Sequence, residues 1–218
     1  MIEPDAVEVR VLGALIEKQR TTPDTYPLSL NALRLATNQS TGREPVVDYD
    51  EETIRDAVAR LVRRGWARLA SGPGSRATKY RHLLDEALKL NEAELSLLAV
   101  LMLRGAQTPG ELRARTERLH QFATLDELDA LLDALSERRL IVRFDRRPGQ
   151  KEARWHLGGE FGSSSATAPR GSAPPVDADR PGGVETAVAS ELEVRVAALE
   201  RDLDTLRGLV AELRGQAG

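Results

Sequence analysis

One unit, an amphipathic helix that runs directly into a short hairpin, occurs twice in this chain, and its repetition limits the folds open to the sequence. The first copy spans Asp50–Leu83. Its helix carries apolar residues at the i, i+4 and i+7 spacing that puts them on one face. The same spacing returns 74 residues later, and the matched positions are Ile54, Val58 and Leu61 in the first copy and Leu128, Leu132 and Leu135 in the second.

The residues around this helix define where it begins and ends. Asp50 is a helix-capping residue type, and Gly65 lies where the helix should stop. Two alternating stretches, 66–70 and 78–82, then flank a turn rich in glycine and serine. A helix that feeds a β-hairpin in this way is typical of the second half of a winged helix-turn-helix.

The residues before each unit repeat as well. Asp5 and Glu8 form an N-terminal capping pattern, and Asn91 and Glu94 repeat it at an offset of 86 residues. Ser29 in the first copy and Thr108 in the second are expected to cap a middle helix. The sequence therefore predicts a mostly α-helical chain with small β-hairpin wings, arranged as two winged helix-turn-helix domains over residues 1–84 and 85–158.

The two offsets differ by about a dozen residues, which the first copy carries as polar loops on either side of its second helix. Asn38, Gln39 and Arg43 lie in this insertion. Asn and Gln can read adenine edges and Arg can read guanine, so a base-reading role is one interpretation. The other is that Asn38 and Gln39 hydrogen-bond the loop backbone while Tyr26 packs beneath it.

Composition changes sharply after the second copy. Residues 159–185 are rich in Gly, Ser, Ala, Pro and Asp, which predicts a flexible, disordered linker. In residues 186–218 apolar residues step by four and three, the heptad pattern of a coiled coil, and we expect a homodimer through this helix. A single amphipathic helix lying back on the core is the alternative. The predicted seam consists of Leu192, Val196, Leu199, Leu203, Leu206, Val210 and Leu213.

Charge is distributed unevenly along a chain whose net charge is −3. Between residues 57 and 84 there are seven basic residues and no acidic one. Because a basic block on a recognition helix and wing is the electrostatic footprint of phosphate binding, we expect double-stranded DNA as a partner. The predicted nucleic-acid contacts are Arg55, Arg63, Arg64, Arg76, Lys79 and Arg81, together with Asn38, Gln39 and Arg43 of the insertion.

The second copy does not share this charge pattern. Its third helix carries Asp126, Glu127, Asp129 and Asp133, a face that phosphates would repel. We therefore expect the second copy to pack against the first or to bind a protein. A protein-interaction scaffold without DNA binding is the alternative function for the whole chain.

Several kinds of chemistry have no signature here. The chain has no cysteine, and its three histidines are far apart in sequence. We find no phosphate-cradling loop, metal-spaced pair or nucleophile elbow, so we expect no catalytic, cofactor or metal site. No apolar run approaches the ~20 residues that span a membrane, and the N-terminus lacks a secretory signal, which predicts a cytoplasmic protein.

The sequence also resembles the YceH-like family, a group of uncharacterised bacterial proteins. The resemblance rests on residues 21–33 (TTPDTYPLSLNAL), 38–39 (NQ), 43–46 (REPV), 103–113 (LRGAQTPGELR), 147–149 (RPG) and 154–157 (RWHL). It covers about residues 5 to 158 and implies a tandem winged-helix fold. It implies no activity, because the family has none assigned.

Overall fold

The computed structural model describes residues 3–70, 78–145 and 152–161, which form mostly helices with two small antiparallel sheets. Within these residues no helix is both long enough and apolar enough to cross a membrane. The predicted coiled coil, residues 186–218, and nearly all of the predicted linker lie outside the described residues.

Three helices open the first copy, and their caps are those that the sequence predicts. They are α1 (Ala6–Thr21), α2 (Leu30–Thr37) and α3 (Glu51–Arg64). Asp5 and Glu8 make the reciprocal capping box before α1, and Ser29 and Asp50 cap the next two helices. Gly65 ends α3 with φ +79°, a left-handed conformation that favours glycine.

The first sheet has one strand more than predicted. It consists of β1 (Leu28–Ser29), β2 (Ala67–Leu69) and β3 (Lys79–His82), in the order β1-β3-β2. The hairpin β2–β3 was expected, whereas β1 comes from the polar insertion and pairs Leu28 with Tyr80. Two residues are too few for a strand pattern, so the sequence gives no sign of β1.

The second copy repeats the arrangement after a short connecting helix, α4 (Leu84–Leu88). Its helices are α5 (Glu92–Arg104), α6 (Pro109–Thr116) and α7 (Leu125–Glu137). A two-stranded sheet of β4 (Ile141–Phe144) and β5 (Arg154–Leu157) follows. Asn91 with Glu94 and Thr108 with Glu111 make capping boxes, which confirms the caps predicted for α5 and α6.

One apolar core runs through both copies. Helices α1 and α5, the first helix of each copy, pack against each other along buried faces, and Leu12, Leu15, Leu98 and Leu101 are all at most 1% exposed. The helices approach closely at Gly13, where an added Cβ would lie 2.8 Å from the Cβ of Met102. The two repeats are therefore joined by shared burial.

The end of the second copy also contacts the first. Residues Gly159–Phe161 form a 3-10 turn, although their composition assigned them to the linker. Phe161 is 3% exposed, and its ring lies 5.5 Å from that of Trp66 at the start of the first hairpin. A single aromatic residue in a polar stretch carries no periodicity, which is why the sequence did not reveal this contact.

Candidate nucleic-acid interface

The solvent-facing side of the first sheet is basic. Side chains alternate along a strand, so Ala67 and His82, at 2% and 0% exposed, face the core while the next strand residues, Arg68 and Arg81, lie on the opposite face. Arg68 and Arg81 are paired across the hairpin, and Lys79 lies two positions before Arg81 on the same strand. Three cationic side chains from two strands therefore share one face.

Cations that share one face of a sheet repel one another unless an anion lies beside them. Like charges directly opposite each other on neighbouring strands destabilise a hairpin. Arg81 is offset by Glu86, whose carboxylate lies 3.2 Å away. Arg68 is exposed and has no ion pair or hydrogen bond among the described residues. It belongs to the basic block but not to the predicted contacts, and its place in the strand alternation is the signal that identifies it.

The C-terminal end of α3 adds a further cation beside this face. Arg63 is exposed and has no partner within the described part of the chain. Arg55, two turns earlier, is also exposed and pairs with Glu51 on the same helix at 2.5 Å. The N-terminal half of α3 is acidic, with Glu51, Glu52 and Asp56 exposed. Phosphate would therefore be attracted to the end of α3 and repelled from its start.

Two arginines of the basic block serve the fold. Arg60 contacts Asp5 at 2.7 Å and Glu8 at 3.2 Å. Arg64 lies 3.8 Å from Glu8 and stacks over Trp66, with 5.0 Å from the guanidinium carbon to the ring centroid. Since Glu8 is 3% exposed, these arginines neutralise a carboxylate that would otherwise be buried without a counter-charge. Arg64, a predicted DNA contact, is thus held against the start of α1.

Side chains of the polar insertion also make contacts within the first copy. The Arg43 side chain is 1% exposed, and its guanidinium pairs with Glu17 at 2.5 Å and donates to the carbonyl of Ala36 at 2.8 Å. The same guanidinium donates to the side-chain oxygen of Gln39 at 3.0 Å. Arg43 is thus not available to read a base, and the prediction that it does so has no support in the fold.

The side chains of Asn38 and Tyr26 both hydrogen-bond backbone groups of the first copy. The Asn38 amide donates to the carbonyl of Tyr49 at 2.7 Å and accepts from the backbone N–H of Tyr49 at 3.0 Å. The Tyr26 hydroxyl accepts from the backbone N–H of His82 at 2.8 Å. The two bonds to Tyr49 are of the kind that the second interpretation predicts for Asn38, and base reading by Asn38 and Gln39 stays a prediction.

A buried polar pair lies beneath the basic face. His82 is fully buried, and its Nε2 lies 2.5 Å from the side-chain oxygen of Gln19. Burial, assisted by the positive charges of Arg81 and Arg20 and opposed by Asp85, lowers the pKa of His82 to about 4. Burial raises the pKa of Tyr26 to about 12. Both side chains are therefore neutral near pH 7 and support the sheet from below.

The other residues considered in the sequence lie in varied surroundings. Arg76 lies outside the described residues, and Lys79 is half-buried in β3. His120 packs edge-on against Phe122, and Nδ1 of His156 lies 2.8 Å from the carbonyl of Leu157. In the part of the chain that the structure describes, no three His, Asp or Glu side chains are placed to hold a metal ion.

Comparisons with known proteins agree with the resemblance seen in the sequence. A family model described as "Protein of unknown function, DUF480" matches residues 5–150. The chain is 40% identical over 225 residues to the UPF0502 protein YceH of Escherichia fergusonii, and the match covers 99% of this chain and 98% of that protein. Neither description states a function.

Proposed function

This chain belongs to the DUF480 family, and we propose that it is a non-enzymatic, transcriptional-regulator-like protein that binds double-stranded DNA through its first repeat. In this proposal each repeat is a winged helix. The order of three helices and a hairpin in both copies supports that assignment, with α3 and α7 as the third helices and β2–β3 and β4–β5 as the wings.

The basic outer face of the first sheet is the observation that carries the proposal. Arg68, Lys79 and Arg81 lie on one side of β2 and β3, and Arg63 lies at the end of the helix that leads into β2. A wing with this charge is suited to the sugar-phosphate backbone, which accounts for most of the affinity of DNA-binding proteins.

The charge along α3 defines how the duplex would lie. The acidic first turns of α3 disfavour deep insertion of its N-terminal end into the major groove, whereas the end that bears Arg63 is compatible with a phosphate. We therefore propose contact through the wing and the C-terminal end of α3, with the backbone recognised more strongly than the bases. A cytoplasmic location accords with this function.

Binding of labelled duplex DNA at moderate salt tests the proposal. Removing both exposed charges in an Arg63→Ala/Arg68→Ala variant should weaken binding about tenfold, because each cation neutralises about one phosphate. The matched control is Arg113→Ala/Arg118→Ala, which removes two exposed arginines from the second copy. Absence of duplex binding by the wild type, or equal losses in the two variants, would contradict the proposal.

A protein-interaction scaffold is the second candidate function. The acidic start of α3 and the acidic α7 favour it, because both third helices then present carboxylates at the position from which winged helices read DNA. The two functions differ in one result, since a scaffold would not bind duplex DNA at low salt.

A further inference from the structure

Arg10 is a buried arginine without a counter-ion among the described residues. It lies in the second turn of α1 and is 5% exposed. Its Nη2 donates to the carbonyl of Pro45 at 2.9 Å, whereas its Nη1 is buried and makes no hydrogen bond to any residue that the structure describes. No carboxylate of those residues forms an ion pair with it. The described contacts therefore leave the charge of Arg10 uncompensated, at the cost of its desolvation.

The other buried arginine of the described residues, Arg43, has its counter-charge. Its guanidinium bonds both carboxylate oxygens of Glu17, at 2.5 and 3.1 Å, so this carboxylate is already engaged. Burial and the positive charge of Arg43, opposed by Tyr49, lower the pKa of Arg10. Arg10 is thus the buried cation that lacks an anion.

The undescribed segments between and before the described residues cannot supply that anion. Residues 1–2, 71–77 and 146–151 contain no aspartate and no glutamate. The charge around Arg10 is therefore not balanced by a side chain from any of these three segments.

The loop of residues 42–46 lies between Arg10 and the end of α5. Its Pro45 carbonyl accepts from Arg10, and the backbone N–H of Glu44 donates to the carbonyl of Leu103 at 2.8 Å. The last three residues of the loop are exposed, so Arg10 lies directly beneath a surface loop. The loop thus connects α1 of the first repeat with α5 of the second.

A second arginine without a partner lies at the other side of this loop. Arg104, at the end of α5, is half-buried and makes no hydrogen bond or ion pair within the described part of the chain. A Cβ added at Gly42 would lie 3.5 Å from its Nη2. Burial, followed by the positive charges of Arg115 and Arg43, lowers the pKa of Arg104, and two carboxylates, Glu17 and Glu44, oppose the shift.

We propose that Arg10, Arg104 and the 42–46 loop form a binding site for an oxyanion, the phosphate or carboxylate group of a small ligand. Guanidinium groups bind both kinds of oxyanion through charge-assisted hydrogen bonds. The anion supplies the counter-charge that Arg10 lacks. Because the two arginines belong to different repeats, the ligand also links the first repeat to the second.

Thermal unfolding of the full chain in phosphate and in acetate, each compared with chloride at equal ionic strength, tests the proposal. An anion that binds only the folded protein raises Tm. At saturating concentration the preferred anion should raise Tm by about 4 °C relative to chloride. The anion with the larger effect identifies the ligand group as a phosphate or a carboxylate.

Two variants locate the binding. Arg10→Met should abolish the response to the anion. In chloride it should be at least as stable as the wild type, because an apolar side chain has no charge to desolvate. Arg104→Gln changes a half-buried position and should weaken anion binding about tenfold, and this variant decides the question if Arg10→Met does not fold.

The control is Arg63→Ala/Arg68→Ala, which removes two exposed arginines from the proposed DNA-binding surface and should keep the full response. Since the anion site does not depend on DNA binding, either proposal can fail without the other. The anion site is overturned if neither anion exceeds the effect of chloride, or if Arg104→Gln or a folded Arg10→Met responds as the wild type does. It is also overturned if the control loses the response, because the anion would then bind the first sheet.

Discussion

Five arginine side chains of the first repeat fall into two groups by their surroundings, although their chemistry is the same. Arg43, Arg60 and Arg64 are directed inward, toward the carboxylates of Glu17 and Glu8. Arg63 and Arg68 are exposed and have no counter-charge among the described residues. Because the first three already lie beside a protein carboxylate, of these five arginines Arg63 and Arg68 are the ones placed to exchange water for a phosphate.

Replacing the buried Arg43 should destabilise the protein and leave its affinity for DNA unchanged. In an Arg43→Ala variant, Glu17 and the carbonyl of Ala36 lose their donor, so the free energy of unfolding should fall by about 3 kcal/mol. Chemical denaturation measures this loss. Arg68→Ala is the control and should change stability by less than about 0.5 kcal/mol, since surface substitutions rarely exceed that value. Equal stability losses would place Arg43 outside the core that the structure describes.

His82 makes the stability of the fold depend on pH. Its pKa is about 4 in the folded protein, against the ordinary 6.5 of histidine in the unfolded chain, so as the pH falls below 6.5 the unfolded chain takes up a proton that the folded chain does not. Stability should therefore decline from pH 6.5 toward pH 4, by about 2 kcal/mol between pH 7.5 and pH 5 from this group alone.

A His82→Gln variant isolates this contribution. The amide can still bond Gln19 but does not titrate, so the variant should lose less stability than the wild type over the same pH interval. Thermal unfolding at pH 7.5 and pH 5 gives the comparison. An unchanged pH dependence would assign the effect to other groups.

At the scale of helices and strands, the contact between α1 and α5 depends on one glycine. A Gly13→Ala substitution would put a methyl group 2.8 Å from the Cβ of Met102 and 3.1 Å from a methyl carbon of Leu103. Alanine stabilises an open helix by about 1 kcal/mol relative to glycine. Here overpacking should outweigh that gain and destabilise the protein by about 1–3 kcal/mol.

At a glycine with space around it, substitution with alanine is expected to leave stability unchanged or raise it. Gly110 lies in the first turn of α6, and nothing lies within 4 Å of a Cβ added there. Gly110→Ala should leave the melting temperature unchanged or raise it, while Gly13→Ala lowers it. A stabilising effect of Gly13→Ala would show that α1 and α5 are farther apart than described.

Elements with complete local signals were predictable from the sequence, and those that depend on distant partners were not. The caps at Asp5, Asp50, Asn91 and Thr108 fixed where the helices begin, because capping is a contact over three residues. Strand β1 and the Phe161–Trp66 contact escaped prediction, since each depends on a partner about 50 or more residues away.

Sequence alone did not separate the paired from the unpaired arginines of the candidate site. The basic block of residues 57–84 indicated the wing, yet net charge along a sequence does not show which arginines are already paired. Arg64 and Arg43 were predicted as contacts and are held by Glu8 and Glu17, whereas Arg68 was not predicted and is exposed. Distinguishing the two groups requires knowledge of how α3 and the insertion loop pack against α1.

At the scale of the whole molecule, the two repeats share one core, and a C-terminal helix is proposed to pair two molecules. The heptad pattern of residues 186–218 lies outside the described residues and remains a prediction. Deleting residues 186–218 should convert a dimer into a monomer in sedimentation, because the deletion removes the seven apolar positions of the seam. A truncated protein that still dimerises would place the main interface on the two repeats.

The salt dependence of duplex binding tests the central claim most directly. If Arg63, Arg68, Lys79 and Arg81 each neutralise a phosphate, the logarithm of the binding constant should fall with the logarithm of salt concentration with a slope of about −3 to −4. The Arg63→Ala/Arg68→Ala variant should reduce that slope by about two, and Arg113→Ala/Arg118→Ala should leave it unchanged. A slope near zero, or the same slope in all three proteins, would contradict DNA binding through the first repeat.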